Sequence, residues 1–407
     1  MPHLVSDLNL PYLDTIGLER REATDAIAAA RSVHWLARSE LGYTVTRLQD
    51  VTAILRDQRF HSALSMIERS PELQGAGIDD DRRMESILTM EGPGHARLRR
   101  LVAPAFTPAS ANRLRPTMQR VVGELVDRVV ARGECELVAD VCEPYPIPII
   151  CELLGAPPED WKLFSGWATD IFRIFNGNLV EDLPFIVRAG EELTAYVSDM
   201  ITARRADPRD DLLSDLIAVE EEGDRLSTDE MAMLAQAVLM AGTDTTRNQL
   251  ACSVALFTEY PDQWALLAER PELAGRAVEE SMRYLGAVRG TARFAAEDVV
   301  YRDVLFPQGT LVATSLAGAN RDPEAFDDPD VFDITRERTT AQMTFGSGIH
   351  FCMGAALARA ELQEALPLLA RRLPGLARNG EVEWKPSTFG IWGPARLPIR
   401  FTPTDHS

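Results

Sequence analysis

The chain has 407 residues, of which 45% are hydrophobic and 26% are charged, as is usual for a globular protein. A formal net charge of −20 at pH 7 argues against nucleic acid or an anionic membrane surface as its main partner. Five cysteines without a C-x-x-C pair, and a first segment without a signal-peptide pattern, predict a reduced cytoplasmic protein with no membrane anchor.

Residue periodicity predicts the first elements of the chain. A helix is expected over residues 18–31, two short strands over 33–38 and 42–48, and a second helix over 48–57. From about residue 61 to residue 93 the sequence shows neither a helical nor a strand-like periodicity. A connection this long inside a compact protein is usually functional or mobile.

A basic pair follows in G-H-A-R-L-R-R. His95 and Arg99 are four residues apart, so both face one side of a helix, while Arg97 and Arg100 lie elsewhere on it. Two cations on one helix face usually form a solvated surface, and the spacing alone does not distinguish that from a binding role.

Five further helices are expected downstream, with no internal repeat and no clear interdomain linker. They are predicted over residues 110–132, 142–154, 158–175, 185–205 and 211–222.

The longest predicted helix begins at S-T-D-E, where Ser227 and Glu230 have capping-box spacing, and continues to Tyr260. About 30 residues at ~1.5 Å each are enough to cross the whole molecule. Its centre reads A-G-T-D-T-T, from Ala241 to Thr246, although glycine, aspartate and threonine are poor choices inside a buried helix. Such a conflict indicates either a functional site or a kink accommodated for packing. Gly242 is expected to leave room for a small ligand.

A glycine-rich loop surrounds one cysteine. It reads F-G-S-G-I-H-F-C-M-G, from Phe345 to Gly354, and a long helical pattern follows at once. Such a loop directs backbone N–H groups and the positive helix end at the Cys352 sulfur, which favours a thiolate over a thiol. The glycines allow a flat partner to approach the backbone closely. The alternative is a small buried cysteine without a ligand.

Phe345, Gly348, Cys352 and Gly354 match the signature F-x-x-G-x-x-x-C-x-G, and here the chain resembles the cytochrome P-450 superfamily of haem-thiolate monooxygenases. The resemblance covers nearly the full chain, with its motif regions in the family's order. It implies a mainly α-helical fold with a smaller β-rich region. Haem b would lie between the long central helix and the helix after the cysteine loop. Residues 1–407 would form one catalytic domain without a fused reductase.

The resemblance also implies roles for individual residues. Cys352 would be the axial ligand of the haem iron. Basic side chains would bind the haem propionates: His95, Arg99, Arg293 and His350. Further contacts with the haem are expected from Phe345, Gly346, Gly354 and Ala241. Asp244 and Thr245 would form the acid–alcohol pair that delivers protons to reduced dioxygen.

Glu280 and Arg283 are three apart in E-E-S-M-R-Y, which alone predicts only an exposed ion pair. In the family such a pair is buried and is completed by a downstream arginine, here Arg336. A buried Arg–Glu–Arg cluster must satisfy all its hydrogen bonds, so it would fix the fold under the haem more than it stabilises it.

The substrate pocket is expected to be lined by residues from three segments: Val238 and Ala241, Val288 and Arg289, and Ile391 and Trp392. The pocket lid and last pocket loop would add Phe172, Phe175, Asn176, Gly177 and Phe389. Ala287 replaces a common proline of the family, and Arg289 stands where an apolar or neutral residue is usual. Arg289 either receives a substrate carboxylate or turns away to bond a propionate or a backbone carbonyl. Pro367 is expected to bend the helix after Cys352.

The implied reaction inserts one oxygen atom from O2 into an apolar small molecule, by hydroxylation or epoxidation. Electrons would come from a separate ferredoxin and its reductase, docked on the Cys352 side near Arg97 and Arg100. The alternatives are a peroxygenase that uses H2O2 and a non-catalytic haem or ligand carrier; the intact Asp244–Thr245 pair argues against both. A monomer is expected, and fatty acids, terpenoids, steroids and polyketides all stay open as substrates.

Overall fold

The computed structural model describes residues 2–40, 42–68, 86–175, 179–221, 226–337, 339–386 and 391–404. Its α-helices are α1 Arg20–Val33, α2 Leu48–Arg56, α3 Leu64–Glu68, α4 Gly92–Val102, α5 Pro108–Arg113, α6 Arg115–Asp127, α7 Pro146–Leu154, α8 Trp161–Ile171, α9 Leu179–Ala206, α10 Leu212–Glu221, α11 Thr228–Phe257, α12 Pro261–Glu269, α13 Ala274–Tyr284, α14 Leu316–Ala319 and α15 Ala355–Arg372.

The strands are short. They are β1 His3–Leu4, β2 Leu36–Ser39, β3 Gly42–Val45, β4 Phe60–Ser62, β5 Glu134–Glu136, β6 Gly290–Ala295, β7 Val299–Tyr301, β8 Val304–Phe306, β9 Leu311–Ser315, β10 Ala377–Arg378, β11 Glu383–Trp384, β12 Pro394–Arg396 and β13 Pro398–Arg400. The expectation of a mainly helical fold with a smaller β-rich part is confirmed.

The strands form a five-stranded sheet in the order β2-β3-β9-β6-β4, sheets β1-β8-β7 and β10-β13-β5, and the antiparallel pair β11–β12. Strand β6 matters most for the site, because it carries Arg293. On β6 this residue is paired with Val312 of β9 on one side and with Ser62 of β4 on the other. The sheet therefore holds Arg293 in a fixed register.

Helix α11 is the long central helix that the sequence predicts. The Ser227 hydroxyl accepts the Glu230 N–H at 3.0 Å, and the Ser227 N–H donates to the Glu230 carboxylate at 2.8 Å, so the capping box is present. The helix packs against α7, α9 and α15, and most of its side chains are buried. The largest cluster of buried apolar side chains surrounds it and draws on residues from Ile87 to Phe401.

Prolines account for several differences from the predicted boundaries. The helix expected over 110–132 is divided into α5 and α6, with Pro116 in the first turn of α6. The helix expected over 142–154 begins only at Pro146, after a π-helical turn. Helix α9 begins earlier than expected and contains Pro184, and α15 continues through Pro367.

Within the part of the chain that the structure describes, no helix combines the length and apolar character needed to cross a bilayer. Of the stretch between residues 61 and 93, residues 69–85 lie outside the described part.

Candidate active site

Cys352 lies in the loop between a short 3₁₀ turn, Gly348–His350, and the start of α15. Its N–H donates to the Phe345 carbonyl at 2.9 Å, which folds the loop back on itself. Gly348 has a φ of +74°, and a Cβ atom there would collide with the backbone of Leu55, so α2 packs directly against the loop. Backbone contacts thus fix the position of the cysteine.

Burial and the cysteine loop act in opposite directions on the protonation of Cys352. Burial raises the pKa of the Cys352 thiol and outweighs the Gly354 N–H and the guanidinium groups of Arg99 and Arg359, which lower it. The Gly354 N–H thus favours the thiolate, as the sequence predicts, but burial has the larger effect on the pKa. A coordinating metal cation would remove the proton, because a thiol ligand is deprotonated on binding.

The basic residues that the sequence singled out lie beside this loop. The imidazole centroids of His95 and His350 are 4.8 Å apart, and Nε2 of each ring is buried without a hydrogen-bond partner among the described residues. Burial, then the charges of His350 and Arg99, lower the pKa of His95 to about 4. Burial also lowers the pKa values of Arg99 and Arg293.

This basic cluster of His95, Arg99, Arg293 and His350 has few anionic partners. The carboxylate of Glu91 lies 3.6 Å from His350 Nε2, while Arg99 and Arg293 donate to backbone carbonyls at 2.8 and 3.0 Å. A buried guanidinium that donates only to neutral acceptors, as that of Arg293 does, is costly unless an anion compensates it. The two carboxylates of a haem would supply that compensation, so these residues fit the implied cofactor.

Helix α11 presents small and hydroxylic residues to the same cavity. Ala241 and Thr245 line it, and the Thr245 hydroxyl donates to the Ala241 carbonyl at 2.8 Å. Gly242 lines the same cavity, where the sequence expects it to leave room for a small ligand. A Cβ atom at Gly242 would collide with the Ile150 side chain of α7, so the glycine permits close helix packing.

Asp244 is buried and does not line the cavity; it faces a network of charged side chains. Its carboxylate forms an ion pair with Arg247, and Lys385 Nζ lies 3.7 Å from its Oδ1. Arg247 also lies 3.4 Å from the partly exposed carboxylate of Glu143. The alcohol and the acid are thus sequence neighbours, but only Thr245 reaches the cavity.

Glu361 on α15 is a cavity residue that the sequence reasoning missed. Its side chain is buried, and one carboxyl oxygen has no hydrogen-bond partner among the described residues. Burial raises the pKa of Glu361 to about 8, although the Thr246 hydroxyl lowers it. The available signal was one glutamate between apolar neighbours, Ala360 and Leu362, on a helix that follows the cysteine loop.

The cavity between α11 and the cysteine loop has a volume of about 330 Å³. Cys352, Phe345, Gly346, Gly354, Arg99, Arg293 and His350 all line it. Its remaining wall is mostly apolar, with contributions from Leu234, Ala237, Val238, Ala241, Ala287 and Val288. The structure therefore brings most of the expected haem residues and three of the expected pocket residues to one space.

Arg289, Ile391 and Trp392 do not line the cavity, in contrast to the sequence expectation. Val288 and Ile391 form an antiparallel bridge, and in extended backbone the residue after Val288 points to the opposite face. The guanidinium carbon of Arg289 lies 4.8 Å from the ring centroid of Trp392. Arg289 thus turns away from the cavity, as one of the two alternatives from the sequence expects, and lies over the Trp392 ring.

Of the lid and loop residues, Asn176, Gly177 and Phe389 lie outside the described part. Phe172 and Phe175 are the ends of a short 3₁₀ turn before α9.

The Arg–Glu–Arg cluster is assembled under the cysteine loop. Both carboxylate oxygens of Glu280 accept hydrogen bonds from Arg283 at 2.8 Å, and Arg336 Nε donates to Glu280 at 3.3 Å. Arg283 also donates to the carbonyls of Asn320 and Pro329. Glu280 and Arg283 are buried and Arg336 is half-buried, and the two guanidinium groups share the Glu280 carboxylate while their other N–H groups bond backbone carbonyls.

Comparison with known proteins agrees with this geometry. A family model described as Cytochrome P450 matches residues 162–374. Nocardicin C N-oxygenase of Nocardia uniformis subsp. tsuyamanensis is 38% identical over 368 residues, 88% of this chain and 89% of that protein. Mycinamicin IV hydroxylase/epoxidase of Micromonospora griseorubida is 39% identical over 368 residues, again 88% and 89% of the two chains. The crystal structure of CalO2 has a TM-score of 0.88 at 32% identity, covering 94% of this chain and 97% of that one. The chain therefore belongs to the cytochrome P450 family, whose cofactor is haem b, and is a monooxygenase of that family.

Proposed function

We propose that Cys352 is the axial ligand of the haem iron and that the basic cluster binds the haem propionates. When bound, the haem supplies the iron at which dioxygen is reduced and one oxygen atom is transferred to the substrate. One observation carries the proposal: Cys352, Thr245 and three members of the basic cluster, Arg99, Arg293 and His350, all line the same largely apolar cavity.

The test of this ligation is spectroscopic. Reduced protein with carbon monoxide should absorb at the position typical of thiolate-ligated haem, and Cys352→His should move the band to the histidine-ligated position. An unchanged band in the variant would exclude Cys352 as the ligand.

The substrate that this cavity favours is an apolar small molecule. Val238, Ala241 and Val288 offer it hydrocarbon surface, and burying such surface is worth roughly 25 cal/mol per Å². Arg289 stacks on Trp392 outside the cavity, which argues against a carboxylate anchored by that residue. Replacing Arg289 by leucine should therefore change the affinity for a fatty acid and the affinity for its methyl ester by the same factor.

Proton delivery is the role that we assign to Thr245 and Asp244. Thr245 lines the cavity and can pass a proton at Oγ1. Asp244 contacts Arg247 and Lys385, and Arg247 in turn contacts Glu143, so protons would reach Asp244 through this charged network. A hydroxyl and a carboxylate in sequence are suited to such a relay, because each can donate and accept a proton.

The electrons would come from a separate ferredoxin and its reductase. Three turnover assays test this source: one with a ferredoxin system, one with H2O2 and one with neither. Product only with peroxide would identify a peroxygenase, and no product with any of them would indicate a haem or ligand carrier.

We further propose that residues 1–407 act as one catalytic domain and as a cytoplasmic monomer. The main core spans residues from Ile87 to Phe401, and all five cysteines are free thiols, as suits a reducing compartment. Light scattering coupled to size-exclusion chromatography tests the monomer: a dimer mass at micromolar concentration would contradict it.

A further inference from the structure

The cavity wall opposite α11 is built from irregular backbone. Residues 285–289 connect α13 to β6, and Ala287 is 1% exposed. Ala287 and Val288 both line the cavity. Buried irregular backbone needs hydrogen-bond partners for its peptide groups, because water does not reach them.

One side chain of α11 supplies partners to two of these peptide groups. The Ala287 N–H donates to Gln249 Oε1 at 2.8 Å, and Gln249 Nε2 donates to the Leu285 carbonyl at 3.2 Å. Nε2 also lies 3.3 Å from the Ser253 hydroxyl one turn further along the helix. Gln249 is 3% exposed, so water does not compete for these bonds.

The remaining contacts hold the wall only from its other sides. The Ala287 carbonyl accepts the Trp392 N–H at 2.9 Å from the C-terminal segment. Gly286 has no room for a Cβ atom, which would lie 2.7 Å from the Thr344 hydroxyl. The Trp392 contact reaches α11 only indirectly, through the Trp392 carbonyl 3.7 Å from Cys252 Sγ, whereas Gln249 bonds the peptide groups of the wall directly. The Gln249 amide therefore spans the gap between the helix and the wall.

We infer that Gln249 is a positioning residue that sets the width of the cavity between α11 and the 285–289 wall. By fixing the distance from Ala241 and Thr245 to Ala287 and Val288, it determines how bulky a substrate can reach the reaction centre. The inference rests on the proposed function, because it concerns substrates that enter this cavity. It also explains Ala287, since a proline there would have no N–H for Gln249 to accept.

The test compares two azoles that bind haem iron through the same nitrogen, imidazole and the triaryl-substituted clotrimazole. Dissociation constants are measured on the haem-loaded protein from the red shift of the Soret band. Gln249→Met keeps the side-chain length but removes both bonds to the wall. We expect the clotrimazole-to-imidazole ratio of dissociation constants to fall by about fivefold, a coupling typical of residues in contact.

The chain offers a matched control. Gln236 lies on the same helix, does not line the cavity and donates to the Thr194 hydroxyl of α9 at 2.6 Å. Gln236→Met should change thermal stability without changing the azole ratio. An equal change in the ratio for both variants would overturn the inference, because a general loosening of α11 would then be the cause.

Ala287→Pro provides a second variant: it removes the N–H donor that faces Gln249 and leaves the glutamine in place, while the proline ring also fixes the backbone φ. Ala287→Pro should lower the clotrimazole-to-imidazole ratio of dissociation constants by a smaller factor than Gln249→Met does. In a protein that already carries Gln249→Met, adding Ala287→Pro should not change the ratio further. If either single variant keeps normal haem content but an unchanged ratio, the inference fails. A protein without the thiolate-haem spectrum would instead contradict the proposed function, so the two failures are distinguishable.

Discussion

Glu361 shows how one buried group can make the stability of the whole protein depend on pH. Its carboxyl keeps its proton in the folded protein up to about pH 8, because burial penalises the charged form. An unfolded glutamate has a pKa of ~4.3, so it releases the proton much earlier. Between these two pKa values the folded state binds more protons than the unfolded state. The free energy of unfolding therefore falls as the pH rises through this range.

Replacing this carboxyl should therefore flatten the pH dependence of stability. At pH 4 wild type and Glu361→Gln should differ little in the free energy of unfolding. At pH 8 the variant should be more stable, by on the order of 2–5 kcal/mol. Chemical denaturation of the haem-loaded protein across this range measures the difference. Parallel curves for the two proteins would mean that Glu361 is ionised in the fold.

Thr245 gives a prediction about proton supply. Thr245→Ala removes the hydroxyl that faces the cavity, so reducing equivalents should be diverted to hydrogen peroxide and product formation should fall by ~10²-fold. Thr243→Ala is the control on the same helix, because Thr243 is buried and bonds the Met240 carbonyl at 3.3 Å. Product and peroxide are measured against reductant consumed, and full coupling in Thr245→Ala would rule out its role.

Single residues were predictable where a short motif fixes them. Cys352, Gly346 and Gly354 belong to a motif of ten consecutive residues, and all three line the cavity. Glu361, Gln249 and Lys385 were missed because their partners are remote in sequence: α15 meets α11 only in the fold, and Lys385 approaches Asp244 from the C-terminal segment. Arg289 was misplaced because the sequence does not show to which face an extended residue points.

At the scale of elements, α11 and α7 pack closely because Gly242 lacks a side chain. Gly242→Ala should destabilise the protein, by about 1–3 kcal/mol, because the new methyl group collides with Ile150. Gly123→Ala is the matched control, since a Cβ atom on that α6 glycine meets nothing within 4 Å. It should stabilise by up to about 1 kcal/mol through helix propensity. Thermal unfolding distinguishes them, and shifts of the same sign would contradict the packing argument.

Residue periodicity predicted where the helices lie, but it predicted their first and last residues less well. The capping box placed the start of α11 within one residue, because Ser227 and Glu230 satisfy end groups locally. The division of α5 from α6 and the π-helical turn before α7 depend on packing around prolines, which periodicity does not encode. The small sheets join strands far apart in the chain, such as β5 and β13, and no local pattern specifies such pairs.

For the whole molecule, the surface beside the cysteine loop is the expected docking face of a ferredoxin. Phe351 and Ile349 are partly exposed there, and α4 lies against the loop through the Arg99–Phe351 hydrogen bond. Arg97 is engaged with Glu230 at 2.7 Å, so reversing its charge would also disturb the start of α11. Arg100 is an exposed residue of the same helix, and the test uses this position.

Arg100→Glu should slow reduction by an acidic ferredoxin, and the wild-type rate should fall as salt screens the charges. Arg400→Glu, on strand β13, is the charge-matched control and should leave the rate unchanged. Stopped-flow reduction at several ionic strengths measures both. Equal, salt-independent rates for all three proteins would place the docking face elsewhere.

The basic cluster also ties the supply of this protein in a cell to the supply of its cofactor. Without the two haem carboxylates, the buried guanidinium of Arg293 donates only to the neutral oxygens of Thr291 and Ala292, and burial with the charges of His350 and Arg99 lowers the pKa of His95 to about 4. Haem binding would supply the missing anions and stabilise the folded state by an amount that grows with the free haem concentration. A cell short of haem would therefore degrade newly made chains faster than a replete one, so the enzyme's abundance would follow porphyrin synthesis without any dedicated regulator.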